Sequence, residues 1–362
     1  MKKDVIILHD VDGEIYFDAV KLLKDEGIID KLSFYETSVF KRLLKAIINK
    51  NNVRKEFMRA IKNLIFRFKM LFIKDKLIIF GSAPYDYRVI LYSILCIRNN
   101  IFYHTSWPYW WGENVPHNKL LNKNLVKPLY SIVLKNRNYQ YICLSNPVAD
   151  SFKKGLPEFK KSKVSIIPHS INLEKFSVDK PKVIINKIKI LYVGRMVPEK
   201  GIKEICELAH RLDEDKFEIT FVGRGELENY VLDEMTGKNN FKYLGYISNK
   251  DDIAKIFKNH HVLLLPSKKI NGWEELFGLV IIEAMASGLL VIASDHIGPR
   301  SVIKDNFNGL IFKEEIIIDS TYNILMNLNC QRINFLRENA ISSIYDYSIK
   351  NVAEKWKEVL EL

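Results

Sequence analysis

Short apolar runs that alternate with helical stretches constrain this chain most. A chain ordered in this way folds as parallel sheets with helices laid across both faces. In the first half such runs lie at 5–8, 32–35, 77–80, 101–104, 141–144 and 164–167, and in the second half they begin near 188, 217, 241, 261, 289 and 309. Each is followed by a turn or a helical segment. A length of 362 residues accommodates two domains with separate cores. The expected fold class is α/β, with two Rossmann-like domains at 1–176 and 187–346 and a charged linker containing Pro181 at 177–186. The final stretch, 347–362, has helical spacing in Val352, Trp356 and Leu360.

The stretch 272–286 reads Gly-Trp-Glu-Glu-Leu-Phe-Gly-Leu-Val-Ile-Ile-Glu-Ala-Met-Ala and sets two carboxylates, Glu275 and Glu283, on either side of a helix start. Gly278 permits close backbone approach, and the unpaired N–H groups at the start of the helix attract a phosphate. Eight residues span roughly 12 Å if helical, enough for one carboxylate to reach a sugar ring and the other a ribose. An isolated pair at this spacing is more often the solvated side of an amphipathic helix, so neighbouring motifs must decide. Upstream, the strand 189–193 ends in a glycine turn carrying Arg195 and Lys200, a planar donor fork and a mobile point charge suited to a diphosphate. The strand 217–222 also ends in glycines, at Gly223 and Gly225.

In this order the motifs resemble those of the family 4 glycosyltransferases. The resemblance rests on Val-Gly-Arg-x4-Lys-Gly at 193–201, Phe-Val-Gly-x-Gly at 221–225, Leu-Gly-Tyr-Ile at 244–247, Leu-Pro-Ser at 265–267 and the segment from Glu275 to Glu283 with Ala-Met-Ala-Ser-Gly after it. The segment 167–172 is similar to one that leads into the family's linker, with His169 and Ser170 as departures. The resemblance implies a GT-B fold, a nucleotide-sugar donor and transfer with retention of configuration. It implies that Arg195 and Lys200 neutralise the donor phosphates and that Glu275 binds the transferred sugar. Glu283 would bind the ribose, backbone groups of Phe277, Gly278 and Leu279 would cradle phosphate, and Tyr246 and Ile247 would lie against the base. It also implies that the final helix crosses back onto the first domain. No metal or other cofactor is expected, because Arg195, Lys200 and the helix start would meet the charge developing on the leaving diphosphate. The resemblance also implies that the leaving phosphate oxygen helps to deprotonate the acceptor, so that no dedicated carboxylate base is required.

The first half is expected to supply the acceptor side. After the strand at 101–104 stand His104, Trp107 and Trp110; aromatic faces stack on sugar rings, and a strand-end imidazole can hydrogen-bond a hydroxyl near the reacting carbon. In related enzymes a histidine at this strand end touches the donor sugar, which makes His104 the candidate, against the alternative of a satisfied core histidine. Glu113 and His117 are weaker candidates of the same kind. The loop Asp10-Val11-Asp12-Gly13 is read as acceptor-binding through Asp12 and Gly13. It also resembles the nucleophile loop of haloacid-dehalogenase-like phosphatases, which would require Mg²⁺. Glu14 stands where that family has Thr, and the phosphatase reading leaves the whole second half unexplained. A non-catalytic nucleotide-sugar-binding subunit and a sugar-nucleotide epimerase of the same fold remain open as alternatives.

The net charge of +12 is concentrated between 41 and 76, where Lys41, Arg42, Lys45, Lys50, Arg54, Lys55, Arg59, Lys62, Arg67, Lys69, Lys74 and Lys76 face only Glu56 and Asp75. Leu43, Leu44, Ile47, Ile48, Phe57, Ile61, Leu64, Ile65, Phe68 and Leu71 run through them at helical spacing. This reads as a basic amphipathic helix pair. Either it packs its apolar stripe on its own sheet, or it adsorbs to an anionic bilayer beside a lipid-linked or glycan acceptor. Nucleic acid is the least favoured partner, since no recognition motif accompanies the charge. The four scattered cysteines form no C-x-x-C spacing, and neither a signal-peptide core nor a spanning apolar window of roughly eighteen residues is seen. The expected setting is cytoplasmic, peripheral on the inner face of the membrane, in bacterial surface polysaccharide synthesis.

Overall fold

The computed structural model describes residues 3–10, 13–50, 52–112, 114–116, 123–135, 139–184, 186–270 and 273–362. They form two compact units, one comprising the residues up to 170 together with 349–362, the other 171–348. Each is built on a six-stranded sheet in which every strand pair is parallel.

The first sheet contains β1 (Lys3–His9), β2 (Ile29–Glu36), β3 (Leu77–Gly81), β4 (Asn100–Thr105), β5 (Tyr139–Cys143) and β6 (Val164–Ile166), in the order β2-β1-β3-β4-β5-β6. Its central strands β1 and β3 carry continuously apolar, buried runs because both faces are covered, whereas the edge strand β2 holds exposed Asp30 and Lys31. Val5, Ile7, Leu77 and Ile79 point to one side, where they meet α1 (Asp18–Asp25) and the C-terminal helix (Ile349–Leu360) through Val20, Leu23, Val352 and Trp356. Ile6, Leu8, Ile78 and Phe80 point to the other. There they meet α3 (Val53–Met70), α4 (Tyr87–Leu95), α5 (Lys123–Lys135) and α6 (Asn146–Gly155). Before α3 runs α2 (Lys41–Ile48). The helix pair expected over 41–76 is present, but the stripe that faces inward is not the aliphatic one. The buried residues of α3 are Ala60, Asn63, Phe66 and Met70, while Phe57, Leu64, Ile65 and Phe68 face outward.

The second sheet contains β7 (Ile188–Val193), β8 (Phe217–Val222), β9 (Phe241–Tyr243), β10 (Val262–Leu265), β11 (Leu290–Ser294) and β12 (Leu310–Phe312), in the order β12-β11-β10-β7-β8-β9. The helices between and after them are α7 (Leu173–Phe176), α8 (Ile202–Arg211), α9 (Glu228–Glu234), α10 (Lys250–Lys258), α11 (Leu279–Ala286), α12 (Ile297–Val302), α13 (Ile317–Met326) and α14 (Cys330–Ser343). The stretch read as a linker is fastened to this unit. The Val178 N–H donates to Ala286 O at 3.1 Å, and Arg337 Nη2 donates to Lys182 O at 2.9 Å. Strand order reverses between β7 and β10, and in open parallel sheets ligands bind beyond the carboxyl ends of the strands at such a reversal.

The C-terminal helix seals one face of the first sheet through Trp356, whose ring lies 5.6 Å from that of Phe17. Trp356→Ala should therefore cost about 3–5 kcal/mol of stability, measured by urea unfolding; a loss below about 1 kcal/mol would contradict this packing.

Candidate functional site

The switch point of the second sheet is drawn together by a glycine. Gly201 follows the turn Pro198–Lys200 at the end of β7 with φ +69°, and a Cβ there would overlap the Pro266 carbonyl just past β10. Only a residue without a side chain lets the two strand ends meet so closely. The result sets Lys200 beside the loop that leaves β10. Its ammonium pairs with the Glu275 carboxylate, both groups being largely enclosed, and lies 4.5 Å over the Trp273 ring. One direction of the ammonium is spent on Glu275, and its other hydrogens remain for an anion.

The Glu275 backbone is held just as firmly. Its N–H donates to His296 Nδ1 at 3.0 Å, and its carbonyl accepts from Gly298 N at 2.8 Å. Because Nδ1 accepts, the proton of the neutral ring is on Nε2, which donates to Glu314 at 2.9 Å. Burial lowers the His296 pKa against the opposing pull of Glu314, so the ring stays neutral. The buried Glu274 accepts from Ile297 N at 3.1 Å and stands 3.5 Å from Lys269. Consecutive glutamates are thus stitched to the start of α12. Trp273, Glu274 and His296 escaped the sequence reading; the signal for the last was a polar run, Asp295-His296, directly after an apolar strand.

Gly278 caps α11 with φ +74°, a left-handed conformation that favours glycine. Leu279 is the first residue of that helix, whose leading amides lack intrahelical acceptors, and Phe277 before it is buried. Glu283 lies further along the same helix and is partly buried. Enclosure of its carboxyl raises the pKa to about 7, with Lys250 pulling the other way. Arg195 does not join Lys200 and Glu275. Its guanidinium is 62% exposed and reaches Glu199 at 3.4 Å. Tyr246 is exposed beneath Arg224, 4.6 Å from the ring centre, and Ile247 next to it is partly buried.

The remaining candidates belong to the first unit. His104 is buried at the end of β4 with its ring 5.3 Å from that of Phe17 and 5.9 Å from that of Trp356, and its Nδ1 has no hydrogen-bond partner among the described residues. Burial, reinforced by His9 and His169, holds its pKa well below the usual imidazole value, so it is a neutral group. Trp107 is partly exposed, its N–H donating to Thr105 Oγ1 at 3.2 Å. Trp110 requires a correction. It is 1% exposed, wedged among Tyr85, Tyr103, Tyr130 and Phe152, and offers no free face to a sugar. Gly13 is buried in the 3-10 turn Gly13–Ile15. Asp12, Glu113 and His117 lie outside the described residues.

The raised Glu283 pKa predicts a pH signature. The carboxyl is protonated in the fold below about 7, whereas the unfolded group ionises near 4.3. Its stabilising share is therefore complete below the unfolded value and is lost as pH rises through 7. Relative to wild type, Glu283→Gln should gain stability between pH 4.5 and 8, on the order of 2 kcal/mol, read as a diverging Tm. Parallel Tm curves would contradict the enclosure of this carboxyl.

Residues 175–331 match the family model described as glycosyl transferases group 1. The UDP-Gal:alpha-D-GlcNAc-diphosphoundecaprenol alpha-1,3-galactosyltransferase of Escherichia coli is 30% identical over 234 residues, covering 60% of this chain and 59% of that protein. The uncharacterized glycosyltransferase MJ1178 of Methanocaldococcus jannaschii is 27% identical over 224 residues, covering 59% and 57%. The matches span between 48% and 59% of the length of these and a Klebsiella pneumoniae relative. Among solved structures, Anabaena Alr3699/HepE in complex with UDP superposes over 99% of both chains with TM-score 0.66 at 13% identity. A glycosyltransferase from Rickettsia africae does so over 99% of both with TM-score 0.70 at 17%. Such identities establish the fold alone: the chain has the GT-B α/β fold, and its residues 175–331 carry the sequence pattern of the group 1 glycosyl transferases.

Proposed function

We propose that this chain is a retaining glycosyltransferase, similar to family 4, that moves a sugar from a nucleotide donor to a glycan or lipid-linked acceptor in bacterial surface polysaccharide synthesis. The observation that carries the reading is the enclosed pair of Lys200 and Glu275 at the switch point of the second sheet, with Trp273 beneath the ammonium. A uridine diphosphate sugar is favoured over a guanosine one, given the UDP complexes of the Anabaena protein and the donor in the name of the Escherichia coli relative.

In this reading Lys200, Arg195 and the first amides of α11, at Leu279 beside Phe277 and Gly278, meet the charge that develops on the leaving diphosphate. These groups supply the neutralisation without a metal. Glu275 accepts hydroxyls of the sugar, and Glu283 accepts from the ribose. Tyr246 and Ile247 flank the base. The bond between the anomeric carbon and the phosphate oxygen breaks as the acceptor oxygen bonds to the same carbon from the same face, and the acceptor proton passes to the leaving phosphate oxygen. His104 enters only as a neutral imidazole, and Gly13 and Trp107 belong to the acceptor side.

The helix face of the first unit supports a membrane-borne acceptor. Phe57, Met58, Phe68 and Phe72 are exposed, Phe72 to 81%, among Arg54, Lys55 and Lys69. The neighbouring helices add exposed Leu91, Ile94, Leu129 and Ile132. Apolar side chains interleaved with cations suit a bilayer interface rich in anionic lipid. No described helix is long and apolar enough to cross a membrane.

Two tests follow. With a UDP-sugar and membrane extract as acceptor source, Glu275→Ala should abolish label transfer while leaving UDP binding intact; normal transfer by this variant would reject the site. In vesicle sedimentation, the double change Phe57→Ser and Phe68→Ser should release the protein from phosphatidylglycerol vesicles. Unaltered pelleting would return α3 to a purely structural role.

A further inference from the structure

Between the end of β10 and the start of α11 the described residues form no helix or strand, only an isolated bridge between Ile270 and Trp273. The direction of Glu275 is therefore not inherited from regular structure. Side chains from elsewhere must set it, and the carboxylate of Glu314 reaches this loop at two points.

Glu314 stands two residues beyond β12, an edge strand of the second sheet. Its carboxylate oxygens accept from the Lys269 N–H, each at 3.1 Å, and one of them also accepts from His296 Nε2 at 2.9 Å. Through the ring the same carboxylate governs the second point, because His296 Nδ1 accepts from the Glu275 N–H at 3.0 Å. One anion thus clasps the loop directly at Lys269 and indirectly at Glu275.

The clasp depends on one tautomer. A neutral imidazole carries its proton on a single nitrogen, and Nδ1 can accept only when that proton is on Nε2. A carboxylate offers acceptors alone, so Glu314 selects this form.

Burial of the ring argues against a packing role alone. The His296 side chain is 0% exposed, and an aliphatic residue would fill the space without taking two polar atoms out of water. Both nitrogens are spent on holding the loop. Gly298 tightens the same seam, since its N–H donates to Glu275 O at 2.8 Å and a Cβ there would lie 2.7 Å from that oxygen. Trp273, beneath the Lys200 ammonium, lies on the clasped segment between Lys269 and Glu275. The clasp therefore sets both the carboxylate and the aromatic ring against Lys200.

We infer that Glu314, acting through His296, is a positioning residue for sugar transfer that aims the Glu275 carboxylate at the donor sugar. The inference rests on the glycosyl-transfer reading and deepens it by naming what orients the sugar-binding group. A displacement of about 1 Å at such a group costs about a hundredfold in rate.

The test measures initial rates with membrane extract as acceptor source and with UDP-glucose, UDP-galactose and their N-acetylamino counterparts as donors, beside calorimetric UDP binding on the same preparations. An asparagine amide oxygen stands near the Nδ1 position and still accepts from Glu275, whereas a glutamine amide stands near the Nε2 position and reaches only Glu314. His296→Gln should lower kcat about thirtyfold, Glu314→Ala about tenfold and His296→Asn about threefold, in order of the looseness left at Glu275. UDP affinity should stay within about twofold in all three, because the lost interaction lies outside nucleotide binding. Glu314→Ala removes a side chain that is 25% exposed, so it decides the matter if circular dichroism shows the buried His296 variants unfolded. Equal losses in the Asn and Gln variants, UDP affinity that falls in step with kcat, or wild-type kcat in Glu314→Ala would each overturn the inference. Wild-type transfer by Glu275→Ala, or no turnover of any of these donors by wild type, would instead overturn the transferase reading, so the two failures are distinguishable.

Discussion

The site depends on the ion pair between Lys200 and Glu275, which ties the turn after β7 to the loop after β10 where strand order reverses. Neither side chain is fixed by its own loop alone. Lys200 is brought there by Gly201 against Pro266, and Glu275 by the seam joining residues 274–275 to 296–298. A charge pair enclosed in this way is worth little as net stabilisation, because burial costs each ion its water. Its value lies in orientation: a preformed cation with spare hydrogens needs no reorganisation when an anion arrives.

The sheets were legible in the sequence because parallel strands covered on both faces read as continuous apolar runs. Each of the twelve runs became a strand, with shifts of a few residues at the ends. The start of α11 was also legible, since a glycine with positive φ before an apolar helix leaves a local signature. Supporting contacts were not. Trp273, Glu274 and His296 act across strand ends far apart in the chain, and no local spacing encodes that. Trp110 misled for a related reason. Its aromatic neighbours in sequence suggested a surface platform, whereas the rings that enclose it come from Tyr85 just before α4, Tyr103 of β4, Tyr130 of α5 and Phe152 of α6.

The orientation of α3 was the other element that spacing could not resolve. Its apolar residues outnumber the positions one face can bury, so periodicity alone leaves two candidate stripes. Tertiary contacts decide between them: Phe66 stacks on Tyr35, Asn63 bonds the Glu36 backbone, and Arg67 donates to the carbonyls of Glu36 and Thr37 at 2.7 and 2.9 Å. Polar fastening of this helix to the end of β2 turns Phe57, Leu64, Ile65 and Phe68 outward.

The central claim is that the second unit holds a nucleoside diphosphate through Lys200 without a metal. Calorimetric titration of UDP, GDP and ADP, each in EDTA and again with Mg²⁺, on wild type and Lys200→Ala, tests it most directly. The account predicts that one nucleotide, with UDP favoured, binds equally well in EDTA and in Mg²⁺, and that Lys200→Ala weakens it about tenfold or more, as loss of a charge-assisted contact requires. Binding only with Mg²⁺, or binding indifferent to Lys200→Ala, would contradict it.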